Sequence, residues 1–261
     1  MIPEQLSSGQ IQVFLLIFVR ITSMISLFPI FGSQNVPVQL KAGLSFLLAI
    51  LLFPLIPVQI DNVPNFDVFT FAFMVVKEIF VGLSIGFASS LLFVSVQFAG
   101  RLVDTEMGFA MVQLIDPFTD SQATVTGQLL ILLFSIIFLI TNGHYFMLIA
   151  VKKSFEVIPL YTASMPNSNT VNLFVSMVGN VFVLAVRMAA PVFCVLLLTT
   201  VALGVIARTV PQINIFFVGL PLKIGLGLIT LAIVLPALAA LFRHMVDLLI
   251  RDLWKLLYLM S

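Results

Sequence analysis

Six long apolar stretches divide the chain, at residues 11–31, 42–60, 66–99, 127–151, 171–207 and 213–242. About 20 apolar residues cross a bilayer as a helix, so each stretch is long enough to span. Lipid-facing spans have to be helical, because unpaired backbone groups in hydrocarbon cost too much. Three stretches, 66–99, 171–207 and 213–242, exceed a simple span, reaching roughly 45–55 Å at 1.5 Å per residue. Pro191, Pro221 and Pro236 offer break points in two of them, since proline lacks the backbone donor and crowds the preceding turn. Gly225 and Gly227 soften the last stretch further. Only residues 208–214 separate the fifth and sixth stretches, which predicts an antiparallel hairpin. From Arg243 onward, Arg243, Asp247, Arg251, Asp252 and Lys255 alternate with Met245, Val246, Leu248, Leu249, Leu253 and Trp254. That pattern predicts an amphipathic helix continuing the sixth stretch, with Asp247 and Arg251 paired at i,i+4.

The polar interruption at 101–122 does not read as an ordinary loop. It gathers Arg101 with Asp104, Glu106, Asp116 and Asp120, four of the chain's 11 acidic residues. Between those charges lies an apolar strip of Met107, Phe109, Ala110, Met111, Val112, Leu114 and Ile115. Solvent-facing loops are usually small and polar throughout. An apolar strip with acidic flanks inside a membrane protein is suited to plug, line or gate a pathway.

Composition agrees with the pattern. The 261 residues are 61% hydrophobic and 9% charged, against about 25% charged in soluble domains. Such a chain cannot cover a globular surface with polar groups, so lipid or other apolar protein is its solvent. The fold class is therefore all-α membrane protein, with about six long, partly broken helices arranged as hairpins in one domain, 1–261. The net charge of +1 and the lack of a basic run exclude nucleic acid as a partner. The first ten residues lack a cationic region of the secretory type, so the first apolar run is expected to be retained. Cys194, the single cysteine, is read as a small buried apolar residue.

Charges inside the apolar stretches are costly, about 2.5–3.5 kcal/mol each at a bilayer centre. Arg20, Lys77, Glu78, Arg187 and Lys223 are so placed, and Arg208 stands at the hairpin turn. Lys77 and Glu78 point about 100° apart on a helix and cannot simply neutralise one another. They are candidates for contacts between helices or between subunits, for positions along a transported path, or for snorkelling at interfaces. Gly82, Gly86 and Ser90 recur every fourth residue, the small-xxx-small spacing that lets helices approach closely. No nucleophile–base order, metal-ligand spacing, phosphate loop or dinucleotide fingerprint is present. The chain is read as neither an enzyme nor a holder of a metal or other cofactor.

The stretch 203–228, with Arg208, Pro211, Gln212, Asn214, Gly219, Pro221 and Lys223, resembles the signature of the FliR family of flagellar type III export-apparatus membrane proteins, whose injectisome counterpart is SctT. The resemblance extends over nearly the whole chain. It includes Phe18 to Ile21, Pro29 to Gly32, Val36, Pro37 and Lys41, then Glu78 with Gly82 and Gly86. It continues through Ala99 to Asp104, Gly108, Phe109, Asp116 and Pro117, and on to Gly143 and His144. The form of 209–224 looks more flagellar than injectisome.

The resemblance implies a subunit that joins FliP and FliQ in a helical hetero-oligomeric gate, with FlhB and FlhA nearby, at the flagellar basal body in the bacterial inner membrane. It implies a FliP-like part at 1–165 and a FliQ-like hairpin at 166–261. Sister subunits rather than lipid would then satisfy many of the buried charges. It also implies a channel plug falling on Glu106, Met107, Gly108, Phe109, Ala110, Met111, Val112, Leu114, Ile115, Asp116 and Pro117, past which secreted flagellar polypeptides would move. Asp104, Glu106, Asp116 and Asp120 would hold the loop's ends. Two other readings stand beside this one: a secondary transporter of a small solute, whose marks are broken helices with intramembrane charges, and a structural subunit that never lines a channel.

Overall fold

The computed structural model describes residues 8–33, 35–56, 67–109, 125–160, 167–210 and 214–261. Every regular element among them is helical. In chain order they are α1 (Ser8–Leu27), α2 (Val38–Leu52) followed by a 3-10 turn (Phe53–Leu55), α3 (Val68–Met107), α4 (Val125–Ile140), α5 (Gly143–Val157), α6 (Ser168–Thr209) and α7 (Ile215–Met260). Five helices are long and apolar enough to cross a membrane, or six spans if α4 and α5 are one broken span.

Helix length departs from the pattern of apolar stretches in an informative way. With 40, 42 and 46 residues, α3, α6 and α7 run roughly 60–70 Å, about twice a bilayer's hydrocarbon thickness. Pro191 lies inside α6, and Pro221 and Pro236 inside α7, without ending either helix. Both helices run on through these prolines and exceed a simple span in length. In apolar surroundings unfolding a helix exposes more backbone than the single bond a proline removes, so the helix continues through it. The break that does occur falls at Asn142, in the left-handed region at φ 57°, where the Thr-Asn-Gly-His sequence marks one.

The chain forms two compact units, each assembled from separate stretches. The first comprises Met1–Leu91, Asn142–Met177 and Asp247–Ser261; the second comprises Leu92–Thr141 and Val178–Val246. In the first unit, α1 presents Val13, Leu16, Ile17, Ile21, Met24 and Ile25 inward at helical spacing, all buried. It packs against α3 at very short range. A Cβ on Gly82 would collide with Ser23 Oγ and the Arg20 carbonyl, and one on Gly86 would lie 2.7 Å from the Met24 carbonyl oxygen. The small-residue line then continues through fully buried Ser89 rather than Ser90, which is half-buried and returns its hydroxyl to the Phe87 carbonyl. Positions i+3 and i+4 both lie near the face of Gly86, and Ser89 takes the inner one. The last turns of α7 belong to this unit and are amphipathic as expected: Leu249, Leu253, Leu256, Leu257 and Met260 are buried, whereas Asp247, Arg251 and Lys255 are exposed. Arg251 donates to the Asp247 backbone carbonyl at 3.4 Å rather than to its carboxylate. Thr170, at the start of α6, donates to the Leu259 carbonyl at 3.2 Å, so α6 and α7 run antiparallel there.

In the second unit, α4 buries Thr126, Gly127, Leu130, Phe134 and Phe138, a stripe at near four-residue spacing. Its rings form a cluster: Phe134 meets Phe93 edge-on at 4.7 Å and Phe242 at 5.1 Å. Such edge-to-face pairs add about 0.5–1.5 kcal/mol each beyond the area they bury. Helix α3 meets α4 backbone to backbone at Gly100 and Gly127. The outward faces of both units are apolar: Val68, Phe69, Phe217 and Ile233 are each more than 70% exposed. Cys194 also proves exposed, on a face of α6 it shares with Phe193 and Leu197. Apolar exposure on this scale marks surfaces meant for lipid or partner protein.

Candidate functional site

Two constructions of polar groups stand out, one in each unit. In the first unit, Arg20 of α1 and Glu78 of α3, each 1% exposed, form a buried ion pair through Arg20 Nε. The guanidinium does not stop there. Nη1 donates to the carbonyl of Ser154 at 3.0 Å, to Ser154 Oγ at 3.2 Å and to the carbonyl of Ile158 at 3.1 Å, and Nη2 also donates to Ile158 at 3.1 Å. Its Cζ lies over the Phe155 ring, 4.2 Å from the centroid. The last carbonyls of a helix lack intrahelical partners and carry its negative dipole end. Arg20 therefore acts as a C-terminal cap of α5 while neutralising Glu78, and one side chain ties α1, α3 and α5 together. Lysine, a point charge without a fork, cannot reproduce this.

Lys77 behaves as the helix geometry requires, pointing away from the Arg20–Glu78 pair. Its ammonium lies 5.0 Å from the Phe73 ring centroid, one turn back along α3. Arg187 and Arg208 are exposed on α6, and Lys223 is half-buried on α7. Among the described residues, no carboxylate lies within ion-pair distance of Lys77, Arg187, Arg208 or Lys223. Of the six charges singled out from sequence, the structure joins two, Arg20 and Glu78. Nor do three His, Cys, Asp or Glu side chains gather as a cation site among the described residues.

In the second unit, the polar interruption proves to begin inside a helix. Arg101 to Met107 form the last two turns of α3, with Val103, Asp104 and Met107 buried and Arg101 and Thr105 exposed. An acid in a helix's last turn opposes the dipole. Asp104 offsets this by facing the start of another helix: its two carboxylate oxygens accept the Thr126 N–H at 3.2 and 3.1 Å. That amide belongs to the first turn of α4, where N–H groups lack helical acceptors. The end of α3 then closes at Gly108, which adopts φ 89°. Phe109 N–H donates to Asp104 O at 3.0 Å and Gly108 N–H to Thr105 O at 3.2 Å, the paired bonds of a glycine-terminated helix.

Met107, fully buried, packs on Gly227 of α7, where any Cβ would press into its side chain. Glu106 is half-buried on the same last turn. The other residues expected in the plug, Ala110, Met111, Val112, Leu114, Ile115, Asp116 and Pro117, lie outside the described residues. Sequence reasoning did not find Thr126, Ser154, Ile158 or Gly227 as partners. Gly108, a glycine following buried Met107, carries the sequence signal of a helix cap, and the structure places it there at φ 89°.

Asp104→Ala is expected to cost about 1–3 kcal/mol, the usual penalty for leaving a buried donor, here the Thr126 N–H, without an acceptor. Hydrogen exchange would check it: the Thr126 amide should lose protection while α5 amides keep theirs. Unchanged protection at Thr126 would refute the clamp.

Long apolar helices, apolar outer faces and a fully buried Arg20–Glu78 ion pair define a multi-pass, all-α membrane protein. Comparison with known proteins narrows the class. The profile described as "Bacterial export proteins, family 1" matches residues 11–249. The chain is 35% identical over 252 residues to "Flagellar biosynthetic protein FliR" of Bacillus subtilis (strain 168), covering 95% of each. It is 30% identical to the protein of the same name from Pectobacterium carotovorum subsp. carotovorum, covering 87% of this chain and 86% of the relative. "Yop proteins translocation protein T" of Yersinia pestis is 29% identical over 84% of each. This chain belongs to family 1 of the bacterial export proteins.

Proposed function

We propose that this chain is a subunit of the flagellar protein-export apparatus in the bacterial inner membrane. In this reading it forms, with FliP and FliQ and next to FlhB and FlhA, a passive gated channel for flagellar polypeptides. The observation that carries the reading is the match to the Bacillus subtilis relative over 95% of both chains. Residues 1–165 supply the FliP-like part and 166–261 the FliQ-like hairpin. The chain itself performs no catalysis, and energy for export comes from elsewhere. Lys77, Arg187, Arg208 and Lys223 meet sister subunits. The Yersinia relative favours an injectisome subunit as the second reading.

The plug takes its place in this scheme from the end of α3. Buried Met107 and the Gly108 cap anchor the start of the strip, and Asp104 ties that point to the first turn of α4. The apolar residues from Phe109 to Ile115 close the lumen to water and ions, and methionine suits contact with varied passing chains because its side chain repacks readily. Opening is a shift between two states, biased by substrate or a partner. Deleting residues 108–116 should leave assembly with the partner subunits intact, as read by native mass spectrometry, and make the membrane leak small ions. An assembled deletion complex with unchanged ion permeability would reject the plug. A solubilised chain that excludes FliP and FliQ would reject the export reading itself.

A further inference from the structure

The outward residues of α6 and α7 change character along each helix. From Ser168 to Arg187, α6 exposes Asn169, Asn172, Ser176, Asn180 and Arg187 beside its apolar residues. From Met188 to Ala207 its exposed residues carry no charge, and the one hydroxyl among them, on Thr200, returns to the Leu196 carbonyl at 2.8 Å. Helix α7 makes the same change in reverse order. Between Ile224 and Phe242 it exposes only leucine, isoleucine, alanine and proline, and the Thr230 hydroxyl bonds back to the Leu226 carbonyl at 2.7 Å. Beyond that point it exposes Arg243, His244, Asp247, Arg251 and Lys255. A cation closes each apolar window at both ends: Arg187 and Arg208 on α6, Lys223 and Arg243 on α7, all within the second unit. The windows 188–207 and 224–242 rise roughly 28–30 Å, which is the hydrocarbon thickness of a bilayer, about 30 Å. Since the two helices are antiparallel, Arg187 and Arg243 share one edge, and Arg208 and Lys223 share the other.

We propose that these two windows are the part of the overlong helices that lipid surrounds, and that the four cations bind headgroup phosphates of phospholipid at its two edges. Among the described residues, Arg243, like the other three, has no carboxylate within ion-pair distance. An anion from outside the chain therefore has to meet all four. Guanidinium forks match the oxygens of a phosphate in pairs. Lys223, half-buried, reaches a headgroup along its flexible stem. The placement also accounts for helix length. The part of α6 before Arg187 and the part of α7 after Arg243 lie outside the hydrocarbon, where amides and charges are solvated at no cost. The inference concerns the chain before sister subunits cover it, so it stands or falls separately from the export reading.

The full chain in phosphatidylglycerol vesicles carries the test, because its single cysteine, Cys194, lets spin labels be placed one at a time. In a Cys194→Ser background, labels at Leu198→Cys and Ile233→Cys should be relaxed by dissolved oxygen at least tenfold more than by a water-soluble nickel chelate. Labels at Ser176→Cys and Lys255→Cys should show the reverse preference. All four positions are exposed, so the variants leave the packed core alone. The phosphate contact is read separately, by solid-state NMR of the chain labelled with 13C at the arginine guanidinium. Lipid 31P should dephase that signal, and changing Arg187, Arg208 and Arg243 together to glutamine should remove at least half of the dephasing. The lipid register is overturned if the label at Ser176→Cys or Lys255→Cys lies as deep as the one at Leu198→Cys. The phosphate contact is overturned if the triple change leaves the dephasing as it was.

Discussion

Arg20→Ala is expected to lower the chain's unfolding free energy by about 3–5 kcal/mol, the loss typical when one partner of a buried ion pair is removed. The substitution strands Glu78, which is 1% exposed, as an uncompensated charge. It also strips the Ile158 carbonyl of the Arg20 donors and leaves the Ser154 carbonyl with only the Ile158 N–H, at 2.9 Å. Since domains hold only about 5–15 kcal/mol in total, a substantial share of the margin would go. Thermal unfolding in detergent, followed by fluorescence of Trp254, the single tryptophan, reads the effect from within the same unit. Arg20→Lys should recover part of the charge compensation but not the fork of bonds to α5. The double change Arg20→Met with Glu78→Leu should be less harmful than Arg20→Met alone, because it leaves no buried charge behind. If Arg20→Met unfolds no earlier than the unaltered chain, the cluster is not what joins these three helices.

Gly100→Ala is expected to be nearly as damaging, for a steric reason. The new Cβ would overlap the Gly127 Cα and come within 2.5 Å of its backbone nitrogen. No flexible side chain is there to give way, so α3 and α4 must move apart. Overpacking of this kind typically costs about 1–3 kcal/mol, and more where backbone meets backbone. Gly225→Ala is the matched comparison, since a Cβ there meets nothing within 4 Å. With no clash to absorb, it should raise stability by about 0.5–1 kcal/mol through better helix propensity. Opposite signs for the two substitutions, measured as unfolding midpoints of the isolated chain, would confirm the contact. A stabilising or neutral Gly100→Ala would refute it.

The helices were legible because a bilayer-like solvent leaves so few alternatives: a long apolar run has to satisfy its backbone internally. Their true lengths were not legible from apolarity alone. The α3 helix continues past the apolar run through Arg101 to Met107, since alternating burial of Val103, Asp104 and Met107 makes those turns amphipathic. Proline misled for a related reason, because its usual effect on a helix presumes that water can satisfy the freed carbonyl. Gly82 and Gly86 signalled close approach correctly, but the identity of the partner helix was not encoded in their spacing. Arg20 and Glu78 stood out as expensive charges, while the Ser154 and Ile158 carbonyls that complete the cluster could not, because any residue offers a carbonyl. At the candidate plug, the acidic flank was visible and its division of labour was not. Asp104 reaches an amide 22 positions away, and only the fold brings that amide near.

The Arg20 cluster also sets an order on how the chain can be made. Arg20 is made before both of its partners: the acidic one follows 58 residues later and the Ile158 carbonyl 138 residues later. At about 5–20 residues per second, synthesis separates the cation from the last of its acceptors by roughly 7–30 s. Until Glu78 is made, 58 residues later, α1 carries an unmatched positive charge in an otherwise apolar helix, and until Ile158 follows the fork of hydrogen bonds stays incomplete. The final packing of α1 can therefore be completed only after α5 has been made.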